Sequence, residues 1–295
     1  MASAELRLIR RRIRSVKSTM KITRAMELIA TSRIVKAQQR VSAAQPYTDK
    51  MNEVIRKVAA ASGGASHALL EARELKTAGV LAVTSDRGLA GAYNSSILRL
   101  AEARLIEHKN AGIETRVYAV GKKAQGYFQY RKYQVEQAFL GVTDTPGYGD
   151  ARAIANVVMN DYAEGKVDSI EVFTTRYVSA LTQTPIQWPL LPIEPPEALE
   201  GSDSEAGSAG YTFEPNAETI LGRLLPRYVE ASAFGILLDA SASEHAARRR
   251  AMKAATENAE ELVRILSRRA NQARQAEITT EISEIVGGAE ALTHG

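Results

Sequence analysis

The residues best placed for chemistry are Ser85-Asp86-Arg87-Gly88-Leu89-Ala90-Gly91, which follow a short apolar run, Ala78 to Thr84, and precede a helical stretch. A glycine-rich turn between strand and helix can cradle a phosphate, because free backbone N–H groups and a helix N-terminus favour an anion. This turn lacks the third glycine and the first-pair spacing of a dinucleotide fingerprint, and no P-loop ending in Gly-Lys-Ser or Gly-Lys-Thr occurs. A tight strand-to-helix turn is the plainer reading. Asp86 beside Arg87 is either a catalytic pair or a local salt bridge and helix cap. His67, His108, His245 and His294 are scattered and share no metal-ligand spacing with carboxylates. Glu260 and Glu261 lie on a charged helical stretch, as a solvated face requires. Cysteine is absent, which removes thiolate nucleophiles, disulfides and cysteine-ligated metals, and no serine sits in a nucleophile elbow. The expected sets of catalytic, cofactor-binding and metal-binding residues are therefore empty, and nothing supports an enzyme.

The elements around that turn are dominated by two long helical runs, one near each end. In the first, Leu6, Ile9, Ile13, Val16, Met20, Thr23, Ala30, Ile34, Ala37, Val41, Ala44, Met51, Ile55 and Val58 fall on alternating three- and four-residue steps. In the second, Ala251, Ala255, Asn258, Leu262, Ile265, Arg269, Gln272, Ala276 and Thr279 continue the rhythm less strictly. Such heptads put one apolar stripe on each helix and call for a partner helix. The first run is predicted from about Ala4 to Ala60, stopping at Ser62-Gly63-Gly64, with a kink near Gln45 where Pro46 removes a backbone bond. The second is predicted from near Pro215 to about Val286, stopping at Gly287-Gly288, with Pro226 and the Asp239-Ala240-Ser241 region as points of bending or breakage.

Between them, strand signals at Ala78 to Thr84, Arg116 to Val120 and Ser169 to Tyr177 alternate with helices at about Tyr93 to Lys109, Gly121 to Tyr130 and Asp150 to Glu164. That alternation predicts a small sheet with parallel crossovers. A proline-rich exit and a small polar stretch, Glu200 to Gly210, lead to the last helix. The fold class expected is α/β plus a long antiparallel coiled coil. Its N- and C-terminal helices are wound together, with a central Rossmann-like α/β domain beside them. The domain limits expected are 1–61, 62–212 and 213–295.

With 45% apolar and 24% charged residues in 295, the composition is that of an ordinary globular protein. No apolar stretch approaches the roughly 20 residues that span a bilayer, so membrane association is expected through other proteins or surface charge. From Arg7 to Arg40, eleven Lys and Arg residues face a single acid, Glu27. Such a stripe fits nucleic acid, an acidic membrane or an acidic protein surface, or simply keeps a helix soluble. No aromatic residue precedes Tyr47 to stack on bases, and the chain's one tryptophan is Trp188, far from the stripe. A protein interface suits it better, with Arg10, Arg11, Arg14, Lys17, Lys21 and Arg24 facing outward.

Three blocks carry a resemblance to a known family: IRRRIRSVKSTMKITRAMELIATSRIVKAQ from Ile9 to Gln38, SDRGLAGAYN from Ser85 to Asn94, and the stretch from Ser243 to Leu292 that begins SEHAARRRAMKAATENAEELV. In order and spacing the chain closely resembles the gamma subunit of the F-type ATP synthase, over essentially its whole length. The resemblance implies a rotating central stalk threaded into a ring of three alpha and three beta subunits, with a c-subunit ring and an epsilon subunit below and ATP chemistry on the beta subunits. It implies a subunit that transmits c-ring rotation by asymmetric contacts and regulates ATPase activity and proton flow, without catalysis of its own, without a cofactor and without nucleic acid. It also implies a peripheral place on the cytoplasmic side of a bacterial cell membrane, held there only through the complex.

By position in the matched blocks, Met26 and Arg248, with Lys21 and Arg24, are implied near the acidic loop of a beta subunit. Arg274, Gln275, Thr279 and Glu281 are implied to engage a beta subunit through polar bonds. Ile282, Ile285 and Val286 are implied to form an apolar bearing tip, and Tyr211 and Glu214 to lie near the c ring and epsilon. Met26 also fits plain coil packing, and Arg248 fits a surface charge or an intramolecular partner of Glu27. Family members in chloroplasts often carry a regulatory insertion with two cysteines, which this chain lacks. Two rivals from other classes are a basic coiled-coil adaptor and a small nucleotide-binding enzyme built on the central sheet.

Overall fold

The computed structural model describes residues 4–61, 67–193 and 216–293. Its elements are α1 (Ala4–Ala61), β1 (Thr77–Val83), α2 (Tyr93–Asn110), β2 (Glu114–Val120), α3 (Lys122–Tyr130), β3 (Val135–Phe139), α4 (Tyr148–Ala163), β4 (Ser169–Tyr177), β5 (Gln183–Leu191) and α5 (Ala217–Thr293). The chain forms two compact units, one of Met1–Ala30 with Arg249–Gly295 and one of Thr31–Arg248. The long helices α1 and α5 each contribute to both.

The first unit is a helix pair. α1 buries Leu6, Thr23 and Ala30 and half-buries Ile13, Val16, Met20 and Met26. α5 supplies Met252, Thr256, Ala259 and Leu266 to the buried side. α1 leaves this unit after Ala30 and α5 enters it at Arg249, so the pair is antiparallel, as expected. The α5 seam lies one residue beyond the expected one. It runs through Met252, Thr256, Ala259, Val263, Leu266, Ala270 and Ala273, while Asn258, Ile265, Arg269, Gln272, Ala276 and Thr279 are exposed. One residue rotates a helix face by about 100°. The expected phase placed Asn258, Arg269 and Gln272 between the helices; the observed phase puts alanines there and sends the polar groups to water.

The second unit is built on a five-stranded sheet in the order β3-β2-β1-β4-β5. The first four strands are mutually parallel and β5 runs antiparallel to β4. On one face Leu81, Val83, Tyr118, Val120, Ile170 and Val172 pack against α4 and the start of α5, where Leu221, Leu225, Val229 and Leu237 line one side, with Val58 of α1 joining them. On the other face Val80, Ala82, Val117, Ala119 and Phe173 meet Ile97, Leu98 and Leu105 of α2 and Phe128 of α3. Cover on both faces is why β1 reads as an unbroken apolar run instead of an alternating one.

Two strands were not anticipated. β3 reads VEQAF, with two polar side chains that an outer position leaves exposed. β5 reads QTPIQWPLL, and its two prolines argued for a loop. Among the described residues β5 pairs only with β4, and a sheet edge is where strands lacking some N–H donors are tolerated. Pro46 lies inside unbroken α1, and Pro226 inside unbroken α5, where Leu225 and Val229 on either side are anchored in the core. α5 also runs through Gly287 and Gly288 to Thr293, since a helical glycine costs only about 1 kcal/mol. Along that end Ile278, Ile282, Ile285, Val286 and Leu292 stand exposed. Among the described residues no helix is long and apolar enough to cross a membrane.

One polar contact marks the register of the helix pair. Thr23 Oγ1 and Thr256 Oγ1 lie 2.7 Å apart in the seam, each also within reach of a carbonyl of its own helix, Met20 O at 3.0 Å and Met252 O at 2.9 Å. Each hydroxyl has one proton, so one bonds the other while that other keeps its helix carbonyl. Thr256→Val leaves the Thr23 hydroxyl only the carbonyl of its own helix, Met20 O, and is expected to cost about 1 kcal/mol. The double variant with Thr23→Val is expected to recover most of that loss in thermal unfolding of the full chain, and equal losses in single and double variants would remove the contact's role.

Candidate functional site

The turn after β1 is fixed on every side. Thr84 Oγ1 donates to Val120 O at 3.0 Å and accepts the N–H of Ala124 at 2.8 Å. The Ser85 N–H donates to Asn94 Oδ1 at 2.9 Å. Asp86 accepts the Lys122 N–H on Oδ1 at 3.1 Å and the Thr143 hydroxyl on Oδ2 at 3.0 Å. Asp86 therefore caps α3 and ties the loop after β3; it is not half of an acid–base pair. Gly121, which enters α3, has φ +89°, and a Cβ there would lie 2.5 Å from Thr84 O. No other residue fits that crossing.

Arg87 turns away from Asp86 and lies 3.8 Å from Asp144. Asp144 sits at the centre of a wider network. Both of its carboxylate oxygens pair with Nη1 of Arg33 of α1, and its carbonyl accepts the Ser241 hydroxyl at 3.1 Å and lies 3.2 Å from His245 Nε2, both on α5. Arg40 of α1 donates to Pro146 O nearby. Arg248 Nη2 pairs with Glu244 Oε1 at 2.6 Å and donates to Gly88 O at 3.2 Å. Two helices and two loops are thus cross-linked by charge-assisted bonds, which are roughly twice as strong as neutral ones. The glycine-rich turn spends a carbonyl on Arg248 and is ringed by Asp86, Asp144 and Glu244.

Burial governs the electrostatics. It pushes the Glu244 carboxyl up to about 7, against the pull of Arg248. For Asp144 burial also works upward, but Arg33, helped by Arg87 and His245, more than reverses it and holds the carboxyl below its usual range. The Tyr93 hydroxyl is raised well above its ordinary value by burial and by the charge of Glu244. Burial lowers the His245 imidazole. Glu244 Oε2 and His245 Nδ1 are buried and lack hydrogen-bond partners among the described residues. Among those residues no group of His, Cys, Asp and Glu could hold a metal.

The residues singled out from the sequence fall in distinct settings. Lys21 and Arg24 are exposed on α1 and Met26 is half-buried there. Arg248 is 7% exposed, and its ion-pair partner is Glu244, one turn back on its own helix. Arg274, Gln275, Thr279 and Glu281 are exposed on α5, where the Thr279 hydroxyl bonds back to Gln275 O at 3.0 Å. Ile282, Ile285 and Val286 are 56%, 72% and 57% exposed, unlike any ordinary packing position. Tyr211 and Glu214 lie outside the described residues. Arg33, Asp144, Ser241 and His245 were missed; Arg33 and Asp144 are 111 residues apart, and no local spacing announces such a pair.

The comparisons agree along the whole length. A family profile described as ATP synthase matches residues 5–292. The chain is 50% identical to the ATP synthase gamma chain of Acidothermus cellulolyticus, covering 98% of this chain and 97% of that one. It is 46% identical to the ATP synthase gamma chain of Streptomyces coelicolor, covering 98% and 96%. Among solved structures, a chain of the Euglena gracilis mitochondrial ATP synthase (OSCP/F1/c-ring) superposes with TM-score 0.68 at 17% identity, covering 98% of this chain and 94% of that one. A chain of the Tetrahymena thermophila mitochondrial ATP synthase central stalk and c-ring gives TM-score 0.61 at 22% identity, covering 79% and 99%. At these identities the two structures show a shared fold.

Glu244 offers a test of the clamp. Its folded pKa lies above the ordinary glutamate value of 4.5, so the stability it contributes is full below about pH 4.5 and is lost as pH rises through about 7. Glu244→Gln removes that loss, worth about 3 kcal/mol across the window. The difference in Tm between Glu244→Gln and the native chain is expected to shift in the variant's favour between pH 4.5 and 8. A difference that stays flat with pH would mean the carboxyl is ionised throughout.

Proposed function

Because the chain belongs to the ATP synthase family as a gamma chain, the non-catalytic central rotor subunit, we propose that it carries c-ring rotation to three catalytic beta subunits through contacts that differ from one beta subunit to the next. The observation that supports this reading is the far end of α5. There Ile278, Ile282, Ile285 and Val286 are exposed, as are Arg274, Gln275 and Glu281 on the same helix end. A lone exposed leucine is ordinary; a helix end that presents apolar and charged groups together is shaped for other subunits.

In this reading Lys21 and Arg24 attract an acidic loop of a beta subunit and Met26 packs beside it. Arg248 holds the base of that contact through Glu244. Arg274, Gln275, Thr279 and Glu281 make the polar bonds that distinguish one beta subunit from its neighbours, and Ile282, Ile285 and Val286 turn in an apolar sleeve that offers no directional bond. The segment with Tyr211 and Glu214 meets the c ring and the epsilon subunit. A single helix pair inside a near-threefold ring of alpha and beta subunits cannot touch all three beta subunits alike. Those differences are the free energy that biases each catalytic site. Moving a site decisively from one state to the other takes about 5.5 kcal/mol of differential contact. The complex rests on the cytoplasmic side of a bacterial cell membrane, and this chain reaches the membrane only through it.

The test uses assembled complex in vesicles. Met26→Lys is expected to lower protons pumped per ATP hydrolysed severalfold while assembly holds. Arg248→Ala should do the same, and adding Glu244→Gln to it relieves the unpaired buried carboxyl without restoring coupling. Normal pumping ratios in both variants would displace these residues from the torque path. Turnover of ATP by the pure chain would end the rotor reading.

A further inference from the structure

One cleft in the second unit takes no part in the clamp or in the helix pair. It measures about 210 Å³ and opens between the outer edge of the sheet, α1 and the first part of α5. Strand alternation sets Thr174 and Arg176 of β4 beside Ile186 and Trp188 of β5 on one sheet face. Tyr228, Ser232, Ile236 and Asp239 of α5 follow at helical spacing along the opposite wall. We propose that this cleft binds a small amphipathic organic cation, its ammonium on the Asp239 carboxylate and its apolar body between Trp188 and Tyr228.

Each part of the cleft supports that ligand class. Trp188 and Tyr228 present aromatic surface, which attracts a cation as well as an apolar body. The Thr174 side chain is 1% exposed, and its hydroxyl has no hydrogen-bond partner among the described residues. An unpaired buried hydroxyl is costly, and an ammonium N–H relieves it. Asp239 is poorly compensated: burial raises its carboxyl to about 6, against Arg176 and a backbone bond from Tyr177. The charged and titratable groups lining the cleft with it are Arg176 from β4 and Tyr228 from α5, while α1 contributes the neutral Thr48 and Asn52. Arg176 is exposed and stands at the solvent side, so it can swing out as a cation enters. A pocket with one embedded carboxylate and aromatic walls, whose own guanidinium stands at the exposed rim, favours a cation over an anion of equal size.

Trp188 is the only tryptophan in the chain, so its fluorescence reports this site alone. Titrating the full-length chain with phenethylammonium is expected to give a saturable change in emission, with phenylacetate as the anionic control giving none. Asp239→Asn should weaken binding at least tenfold. Lowering the pH from about 7.5 to 5 should weaken it about tenfold in the native chain, as the ionised fraction of Asp239 falls, and should leave Asp239→Asn unchanged. Arg176→Gln, a change at the exposed rim, should tighten binding severalfold, which keeps the test decisive if Asp239→Asn fails to fold. No saturable change, equal binding of phenylacetate, or weaker binding in Arg176→Gln would each overturn the proposal.

Discussion

A helix of 77 residues cannot stand by itself in water, and that constraint organises the chain. At 1.5 Å per residue α5 is roughly 115 Å long, far beyond what propensity alone supports. Its stability comes from burying one stripe along most of its length, as far as about Glu277. In the first unit the partner is α1, through an alanine-rich seam that lets the helices approach closely. In the second it is the sheet, which takes Leu221, Leu225, Val229 and Leu237. Every other element can be understood as cover for one of these helices or as a brace against them.

The brace also accounts for a turn with the outline of a phosphate loop. The N–H groups of Ser85 and Asp86 are spent on Asn94 and Thr143, and the carbonyl of Gly88 faces a guanidinium. Arg33 and Arg248 approach the loops from two different helices, so the charges are shared by elements far apart in sequence. Burying such groups is expensive: at Asp144 the pull of Arg33 more than offsets it, whereas at Glu244 burial outweighs Arg248. Shape is the product of this chemistry. The chain spends its reactive side chains on being rigid.

The sequence was most legible where the physics is local. β4 spans Ser169 to Tyr177, the limits read from the sequence, and the glycine turn was read as a turn. The Glu244–Arg248 pair is four residues apart on a helix and could have been read from spacing. The α5 seam slipped by one residue because long stretches of alanine and charge leave the phase weakly marked, and only the partner helix decides it. β3 and β5 escaped because pairing, not propensity, makes them strands. The Arg33–Asp144 pair escaped for a similar reason: it exists only once the fold has brought the two residues together. The exposed isoleucines at the end of α5 were assigned by likeness, and their exposure is a fact that sequence pattern alone could not supply.

The prolines of β5 have a consequence for how this chain behaves in a crowded cell. An outermost strand is a template onto which a stray polypeptide can zip by main-chain bonding. With Pro185 and Pro189 in place, that border offers fewer donors and a pair of rigid rings, so an incoming strand finds no continuous ladder to extend. Such a border makes the chain a poor seed for accretion. The same residues that disguised the strand on paper keep it from recruiting a neighbour.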